Sequence, residues 1–401
     1  MAIAIPTVDH LDDEPVSVEA YTSPKFFAAE MANVFRKSWL FVSVASEVSK
    51  PGDFIVKNFP ALNASILVVR GKDNVLRAFH NVCAHRAARV VAETRGNAAR
   101  FTCPYHGWGY DLAGQLKTVP AAEGFPSLDR SRCGLTPVKT GAAAGLVFIH
   151  LMEKPEQDLA TFLAGIDARI NEHAFNGWTN AWTFGAELPV NWKCILDNFQ
   201  ETYHVFHTHR ITIGDRSNGP GNPMGHPLSF DFFGPHRFMD IWGNLQHAPT
   251  FIERAVGPYG SIISNGAVET RAGRATSAPK RERDPAWSMD VFGLFPHVVI
   301  DITPGILSVH ETVPVAVDRT IWTTTLYYPP AQTAAQRVAQ EYASAYNRDI
   351  VAEDVSLMQT LQSGMMSGAT KSLRFSKIEA LCRHLHHNVE QRVRESMGHG
   401  G

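Results

Sequence analysis

Two short segments constrain this chain more than any others. Cys83-Ala84-His85 and Cys103-Pro104-Tyr105-His106 each set a thiol close to an imidazole, with seventeen residues between them. Two soft thiolates and two imidazoles suit a transition metal, either in a Cys2His2 zinc site or in a [2Fe-2S] cluster where two His replace two Cys on one iron. Zinc ribbons and fingers tend to repeat one ligand spacing within each half. Here each half supplies one Cys and one His, so each iron of a cluster can take its pair of like ligands from both loops. Both segments lie between about Gly52 and Gly145, among short β-rich runs such as Ala64-Ser65-Ile66-Leu67-Val68-Val69 and, at its end, Leu146-Val147-Phe148-Ile149. Gly, Asn and Asp turn residues separate these runs, and the stretch reads as a small all-β module.

With 401 residues the chain exceeds the usual length of one domain, so two domains or one large domain with an insertion are expected. Hydrophobic residues at 44% and charged residues at 19% give the balance of a globular protein. The net charge of -2, with no Lys/Arg stripe able to neutralise phosphates, argues against a nucleic-acid partner. Five cysteines are too few for a disulfide scaffold, and their odd number points to thiols or metal ligands. Met1 to Glu14 is acidic and lacks a basic-then-apolar leader, and no apolar run is long enough to span a bilayer. A cytoplasmic protein with no membrane partner is the expectation.

Helical spacing of Phe26, Phe27, Met31, Val34, Phe35 and Trp39 predicts a helix over about Ser23 to Leu40. Further helices are predicted from Pro155 to about Phe175, from about Asn191, from Thr333 to Gln362 and from Phe375 to Met397. Thr183 to Trp192, Val298 to Ile302 and Ile321 to Tyr328 read as strands. Ser217 to Pro227 and the polar, basic Glu269 to Asp284 read as loops. Phe230, Phe232, Phe233, Phe238 and Trp242 are candidates for a pocket wall or, more ordinarily, core. Cys133, Cys194 and Cys382 read as small buried hydrophobes. The group His384, His386 and His387 reads as a surface helix face.

The run Asn191-Trp192-Lys193-Cys194-Ile195-Leu196-Asp197-Asn198-Phe199-Gln200-Glu201-Thr202-Tyr203-His204-Val205-Phe206-His207-Thr208-His209 holds a second constellation. Helical spacing places His204 beside Glu201 and near His207, with His209 off that face unless the helix ends there. Two His and one carboxylate leave open positions on Fe(II) for O2, and such a triad needs an acid from elsewhere. Asp354, in the long late helix, is the candidate. His207 rivals His209, and Asp349 and Glu353 rival Asp354.

Cys83-Ala84-His85-Arg86 and Cys103-Pro104-Tyr105-His106-Gly107-Trp108, continued in Tyr110-Asp111 and Gly114, resemble the C-x-H-R and C-P-Y-H-G-W loops of Rieske domains. The second constellation resembles the catalytic domain of Rieske non-heme iron oxygenases: N-W-K, then E/D-N-F/Y, then an acid three residues before the first of two His. The resemblance implies that Cys83, His85, Cys103 and His106 hold a [2Fe-2S] cluster, with Arg86 supporting its loop. It implies that His204, His209 and Asp354 hold a mononuclear iron, and that Glu201 links this iron to the Rieske His of a neighbouring subunit. Many aromatic-ring dioxygenases have Asp at that linking position. Glu201 instead resembles the branch that oxidises quaternary amines such as carnitine and glycine betaine.

The expected architecture is α+β: a small all-β Rieske [2Fe-2S] domain, residues 46–155, inserted in a catalytic domain, 156–401, whose antiparallel sheet is flanked by helices. Residues 1–45 are expected to pack with the catalytic domain. The resemblance implies an oxygenase component that takes electrons from an NAD(P)H-dependent reductase, with or without a ferredoxin. It implies a homotrimer, with or without a small beta subunit. No G-x-G-x-x-G fingerprint for a nicotinamide cofactor is present, in keeping with a separate reductase. An aromatic compound or aromatic acid is the first expectation for substrate, and a quaternary amine the second. A cavity showing Arg or Lys would favour an aromatic acid, whereas aromatic faces with an acid would favour the cation.

Overall fold

The structure is a computed structural model and describes residues 11, 14–173, 175–259 and 284–398. The chain forms two compact units, one of Phe35–Phe162 and one from the flanking stretches, up to Val34 and from Leu163 onward.

The Phe35–Phe162 unit is built on a seven-stranded antiparallel sheet. Its order is Leu40–Val44, Leu146–His150, Pro137–Ala143, Leu76–His80, Ala64–Arg70, Asp53–Phe59 and Arg95–Asn97. A three-stranded sheet of Phe101–Thr102, Gly109–Tyr110 and Leu116–Thr118 stands beside it. Phe54, Leu67, Val69, Phe79, Trp108 and Tyr110 bury their side chains in a common core that also takes in Cys83 and Cys103. The unit begins before residue 46 because Leu40–Val44 pairs along its length with Leu146–His150. It runs past 155, where the Trp39 indole N–H donates to the Gln157 carbonyl.

The second unit carries another seven-stranded antiparallel sheet: Thr179–Leu188, Arg319–Tyr328, Ile306–Ala316, Val298–Thr303, Trp287–Leu294, His236–Trp242 and Ser229–Phe233. From Ser229 on, neighbours in sequence are neighbours in the sheet. The first nine residues of Ile306–Ala316 are all buried, so the sheet is covered on both faces there and shows no polar alternation. Three helices matter for the site: Trp192–Phe199, Ala334–Met366 and Ala380–Gly398. The longest starts at a capping box, Thr333 with Gln336. It buries Ala343, Ile350, Val351, Asp354, Met358 and Gln362 along one stripe at three- and four-residue steps.

Several expectations shift. The N-terminal helix is Pro24–Glu30, continued by a wider turn Met31–Phe35, and it ends before the strand that opens at Leu40. The segment expected as one helix from Asn191 through the histidines is two helices, Trp192–Phe199 and Val205–Thr208, separated by a turn. The strands Trp287–Leu294 and Ile306–Ala316 were not expected. His384 and His386 are buried and only His387 is exposed, so this group is not a surface face. Cys194 and Cys382 are buried and Cys133 is half-buried. The Glu269 to Asp284 loop lies outside the described residues except for its last residue. Among the described residues no helix is long and apolar enough to cross a membrane.

Candidate metal centres and the adjoining cavity

In the all-β unit, the two Cys-His loops share one backbone hydrogen-bond pattern. The Cys83 carbonyl accepts from Ala87 N at 3.0 Å and its N–H donates to the Ala88 carbonyl at 2.8 Å. Twenty residues on, the Cys103 carbonyl accepts from Gly107 N at 3.0 Å and its N–H donates to the Trp108 carbonyl at 2.8 Å. Each loop turns through a left-handed residue at the same place, Ala87 at φ 60° and Gly107 at φ 73°. Both thiols are buried, His85 is half-buried and His106 is exposed, and the two imidazole centroids lie 4.6 Å apart.

His85 stacks on Trp108, with centroids 4.9 Å apart and planes 9° from parallel. Its Nδ1 is buried and has no hydrogen-bond partner. Leaving such a nitrogen unsatisfied costs about 1–3 kcal/mol, so a ligand bond there is favoured. Two thiols and two imidazoles converging in this way fit a [2Fe-2S] cluster. The Tyr110 hydroxyl lies 3.2 Å from Cys83 Sγ and accepts from Ala84 N at 3.1 Å. Burial, reinforced by Cys83, pushes its phenol up, so it keeps its proton and can donate to the sulfur. Arg86 lays its guanidinium over the Tyr105 ring at 5.2 Å, bracing one loop against the other.

In the other unit, the Asn191-Trp192-Lys193 run fixes the helix that precedes the second site. Asn191 caps it by accepting from Lys193 N, and its amide donates to the Val317 carbonyl at 2.7 Å. The Trp192 indole N–H and the Lys193 ammonium both reach the Glu30 carboxylate, at 3.1 and 2.5 Å, with the Lys193 and Glu30 side chains fully buried. Burial raises the Glu30 pKa, and Lys193 opposes that rise.

The helix stops at Phe199, and the turn after it brings Glu201, His204 and His209 round toward the long helix. His204 Nδ1 is hydrogen-bonded to a Glu201 oxygen. His209 Nδ1 lies 2.7 Å from Glu353 Oε2, which also accepts from the Thr212 hydroxyl at 2.7 Å. With both Nδ1 atoms held by carboxylates, both Nε2 atoms turn inward. They lie 3.2 Å from each other, and 3.5 Å (His204) and 3.0 Å (His209) from Asp354 Oδ1. That oxygen is buried and makes no hydrogen bond. One ligand atom from each of His204, His209 and Asp354 falls within a 4.8 Å span. Two His and one carboxylate with an orphaned buried oxygen fit a non-heme Fe(II) triad with open positions. Burial works against a charged His204, but Glu201, and behind it Asp354 and Glu379, outweigh it and hold its pKa above the ordinary histidine value.

The rivals separate clearly. His207 is exposed, and Asp349 is exposed and paired with its neighbour Arg348. Glu353 does take part, but from behind His209. Adjacent helical positions point about 100° apart, so the Glu353-Asp354 pair can grip one imidazole from two sides.

A cavity opens beside the triad, lined by Phe199, Met239, Ile241, Val291 and Ile350 among other apolar side chains. Strand alternation turns Asp301 and Thr303 of one strand, and Ser308 and His310 of the next, into it. None of Phe230, Phe232, Phe233, Phe238 and Trp242 lines it. Phe238 and Trp242 are core, and Met239 and Ile241 alternate with them to face the cavity. Among the described residues no Arg or Lys lines the cavity. Asp301 was legible only as the one acid interrupting the apolar run Val298 to Ile302.

Residues 38–129 match the family described as the Rieske [2Fe-2S] domain, and residues 175–395 match the ring hydroxylating alpha subunit, catalytic domain. The chain is 28% identical to the carnitine monooxygenase oxygenase subunit of Escherichia coli (strain K12), over 86% of this chain and 83% of that one. It is 35% identical to the protein of that name from Acinetobacter baumannii, but the match covers 47% of this chain and about half, 51%, of that relative's length. A chlorobenzene dioxygenase alpha subunit from Cupriavidus sp. (strain PS12) is 34% identical over 48% of this chain and 43% of its own. Among solved structures, a quaternary ammonium Rieske monooxygenase shares the fold at a TM-score of 0.77 and 24% identity, covering 97% of this chain and 100% of its own. A naphthalene 1,2-dioxygenase from Rhodococcus sp. shares it at 0.75 and 18%, covering 95% of each. With its catalytic-domain match spanning more than half of the chain, and a Rieske domain matched ahead of it, the chain belongs to the ring-hydroxylating alpha-subunit family of Rieske oxygenases.

Proposed function

We propose that this chain is the terminal oxygenase of a multicomponent Rieske system that oxidises a small methylated amine cation of the quaternary-ammonium class. The observation that carries the reading is the cavity next to His204, His209 and Asp354, which shows carboxylates and aromatic rings and, among the described residues, no Arg or Lys. An acid there suits a cation and works against the aromatic acid first expected. Relatives named for carnitine and glycine betaine oxidation support the same choice. The aromatic substrate expected first therefore gives way to the amine.

In this reading Cys83, His85, Cys103 and His106 hold the [2Fe-2S] cluster, and His204, His209 and Asp354 hold the mononuclear iron. That iron, when bound, supplies the positions at which O2 is activated once electrons arrive. The protein's own contribution is orientation. Glu201 and Glu353 fix the imidazole tautomers so that each Nε2 faces Asp354, as carboxylates behind metal-bound His generally do. The apolar walls hold the substrate carbon near the triad and keep bulk water out. Glu201 also links His204 to the cluster histidine of a neighbouring subunit, which calls for a closed head-to-tail ring, a homotrimer. Electrons come from NAD(P)H through a separate reductase, with or without a ferredoxin.

The test compares wild type with His204→Ala, prepared anaerobically, by iron and acid-labile sulfide content and by EPR of the reduced protein. Wild type is expected to hold two irons and two sulfides as a cluster plus one further iron. The variant should keep the cluster signal and lose the further iron. Zinc without sulfide in wild type, or iron content unchanged in the variant, would overturn the assignment. Formation of a demethylated or hydroxylated amine with reductase, NADH and O2 tests the substrate class.

A further inference from the structure

The mechanism above uses the acids at positions 201, 353 and 354, and it leaves Asp301 without a chemical task. Asp301 sits on Val298–Thr303, where every other residue is buried and apolar or uncharged. One of its oxygens, Oδ2, lies 3.0 Å from His310 Nε2. The other, Oδ1, is buried and without a hydrogen-bond partner. His310 is itself pinned, its Nδ1 2.8 Å from the Thr324 hydroxyl and its ring stacked on Phe199 at 4.1 Å and 19°. Phe199 stacks in turn on Trp322, with centroids 6.1 Å apart and planes 13° from parallel. Held between the Thr324 hydroxyl and Asp301, the imidazole fixes the carboxylate through Oδ2 and leaves Oδ1 without a partner.

A carboxylate half-satisfied beside an apolar cavity is costly unless something of opposite charge answers it. We infer that Asp301 is the specificity-determining counter-ion of the cavity, set by His310, and that it selects the occupant's cationic nitrogen. This inference rests on the amine reading above and adds the residue that enforces it. A trimethylammonium head has no N–H to donate, so it needs no hydrogen-bond line to Oδ1. Proximity in a medium of low dielectric is sufficient. Phe199 and Tyr346 line the same cavity and add ring carbon to the wall that the methyl groups would meet.

The experiment uses the purified, metal-loaded protein and a shape-matched pair of probes that differ in charge: choline and its neutral isostere 3,3-dimethyl-1-butanol. Binding is measured by calorimetry for wild type, Asp301→Asn and Asp301→Glu. Wild type should bind choline at least about tenfold more tightly than the isostere, as expected for one partly desolvated ion pair. Asp301→Asn should weaken choline by about the same factor and leave the isostere within about twofold. Asp301→Glu, which keeps the charge, should retain the preference, and this separates charge from any packing defect in the Asn variant. Choline preference unchanged in Asp301→Asn overturns the inference while leaving the amine reading intact. Failure of wild type to prefer choline, together with binding of indole or benzoate, overturns both.

Discussion

Glu353 Oε2 lies 2.7 Å from Nδ1 of His209, on the far side of the imidazole from Asp354. Neighbours in the chain thus hold opposite edges of one ring, and the second site depends on both. Replacing Glu353 by Ala should free that ring to rotate. The expected result is a drop of about 10- to 100-fold in Fe(II) affinity or activity, the usual cost of losing a carboxylate behind a metal-bound His. Anaerobic Fe(II) titration of the iron-stripped site reads this directly, with the cluster EPR signal as an internal control. Unchanged affinity would reduce Glu353 to a surface acid.

The Glu201–His204 pair makes the second site sensitive to pH. Fe(II) needs a neutral imidazole, and His204 holds its proton above the ordinary histidine value. Iron must therefore displace a proton at pH values where an ordinary histidine has already lost it, and affinity should rise with pH through the raised pKa, with proton release on binding. Between pH 6 and pH 8 the apparent affinity of wild type should increase. In Glu201→Gln, which removes the main cause of the rise, the increase should move to lower pH. Identical pH profiles for the two proteins would contradict this.

Breaking the pair of Lys193 and Glu30 should be among the most damaging single changes away from the metals. Both side chains are fully buried, and removing one partner strands the other charge. Glu30→Ala should cost about 3–5 kcal/mol, the range for orphaning a buried ion. The double variant Glu30→Gln with Lys193→Met should recover much of that loss. Equilibrium unfolding in urea provides the comparison, and equal stability of the single and double variants would argue against an ion-pair origin.

The twin cluster loops differ at one informative position. Gly107 takes a left-handed φ of 73°, and a Cβ there would meet Pro120 Cγ at 3.1 Å. Gly107→Ala should therefore lose about 1–2 kcal/mol. Ala87 already carries the left-handed penalty at φ 60°. In Ala87→Gly the relief is offset by the greater freedom of the unfolded chain, so a change within about 0.5 kcal/mol is expected. Thermal unfolding monitored at the cluster chromophore distinguishes the two substitutions.

What could be read from the sequence was what the chain keeps local. Cys83 and His85, and likewise Glu201 and His204, lie within three residues of each other, so their spacing carries their geometry. Asp354 was reached by resemblance and not by pattern, because its partners are more than a hundred residues away. The long helix was legible from its apolar stripe. The strand Ile306–Ala316 was not, since burial on both faces erases the alternation that marks a half-exposed strand. The break after Phe199 was missed because helical spacing alone does not register a turn between two short helices. His386 was misplaced for a different reason. Its hydrogen bonds to Asp197 and to Tyr21, at 3.1 and 2.7 Å, offset the cost of burying an imidazole, and neither partner is near it in sequence.

The uneven burial of the two Cys-His loops gives the all-β unit a polarity. Cys83 and Cys103 are sunk in its core among Phe79, Trp108 and Tyr110, whereas His106 reaches the surface and His85 lies only part-way in. The unit therefore works like an insulated wire stripped at one end. Charge passing between it and any other molecule has a short path through the imidazoles and a long one through packed hydrocarbon. Whatever trades electrons with the unit finds its shortest path at the stripped end.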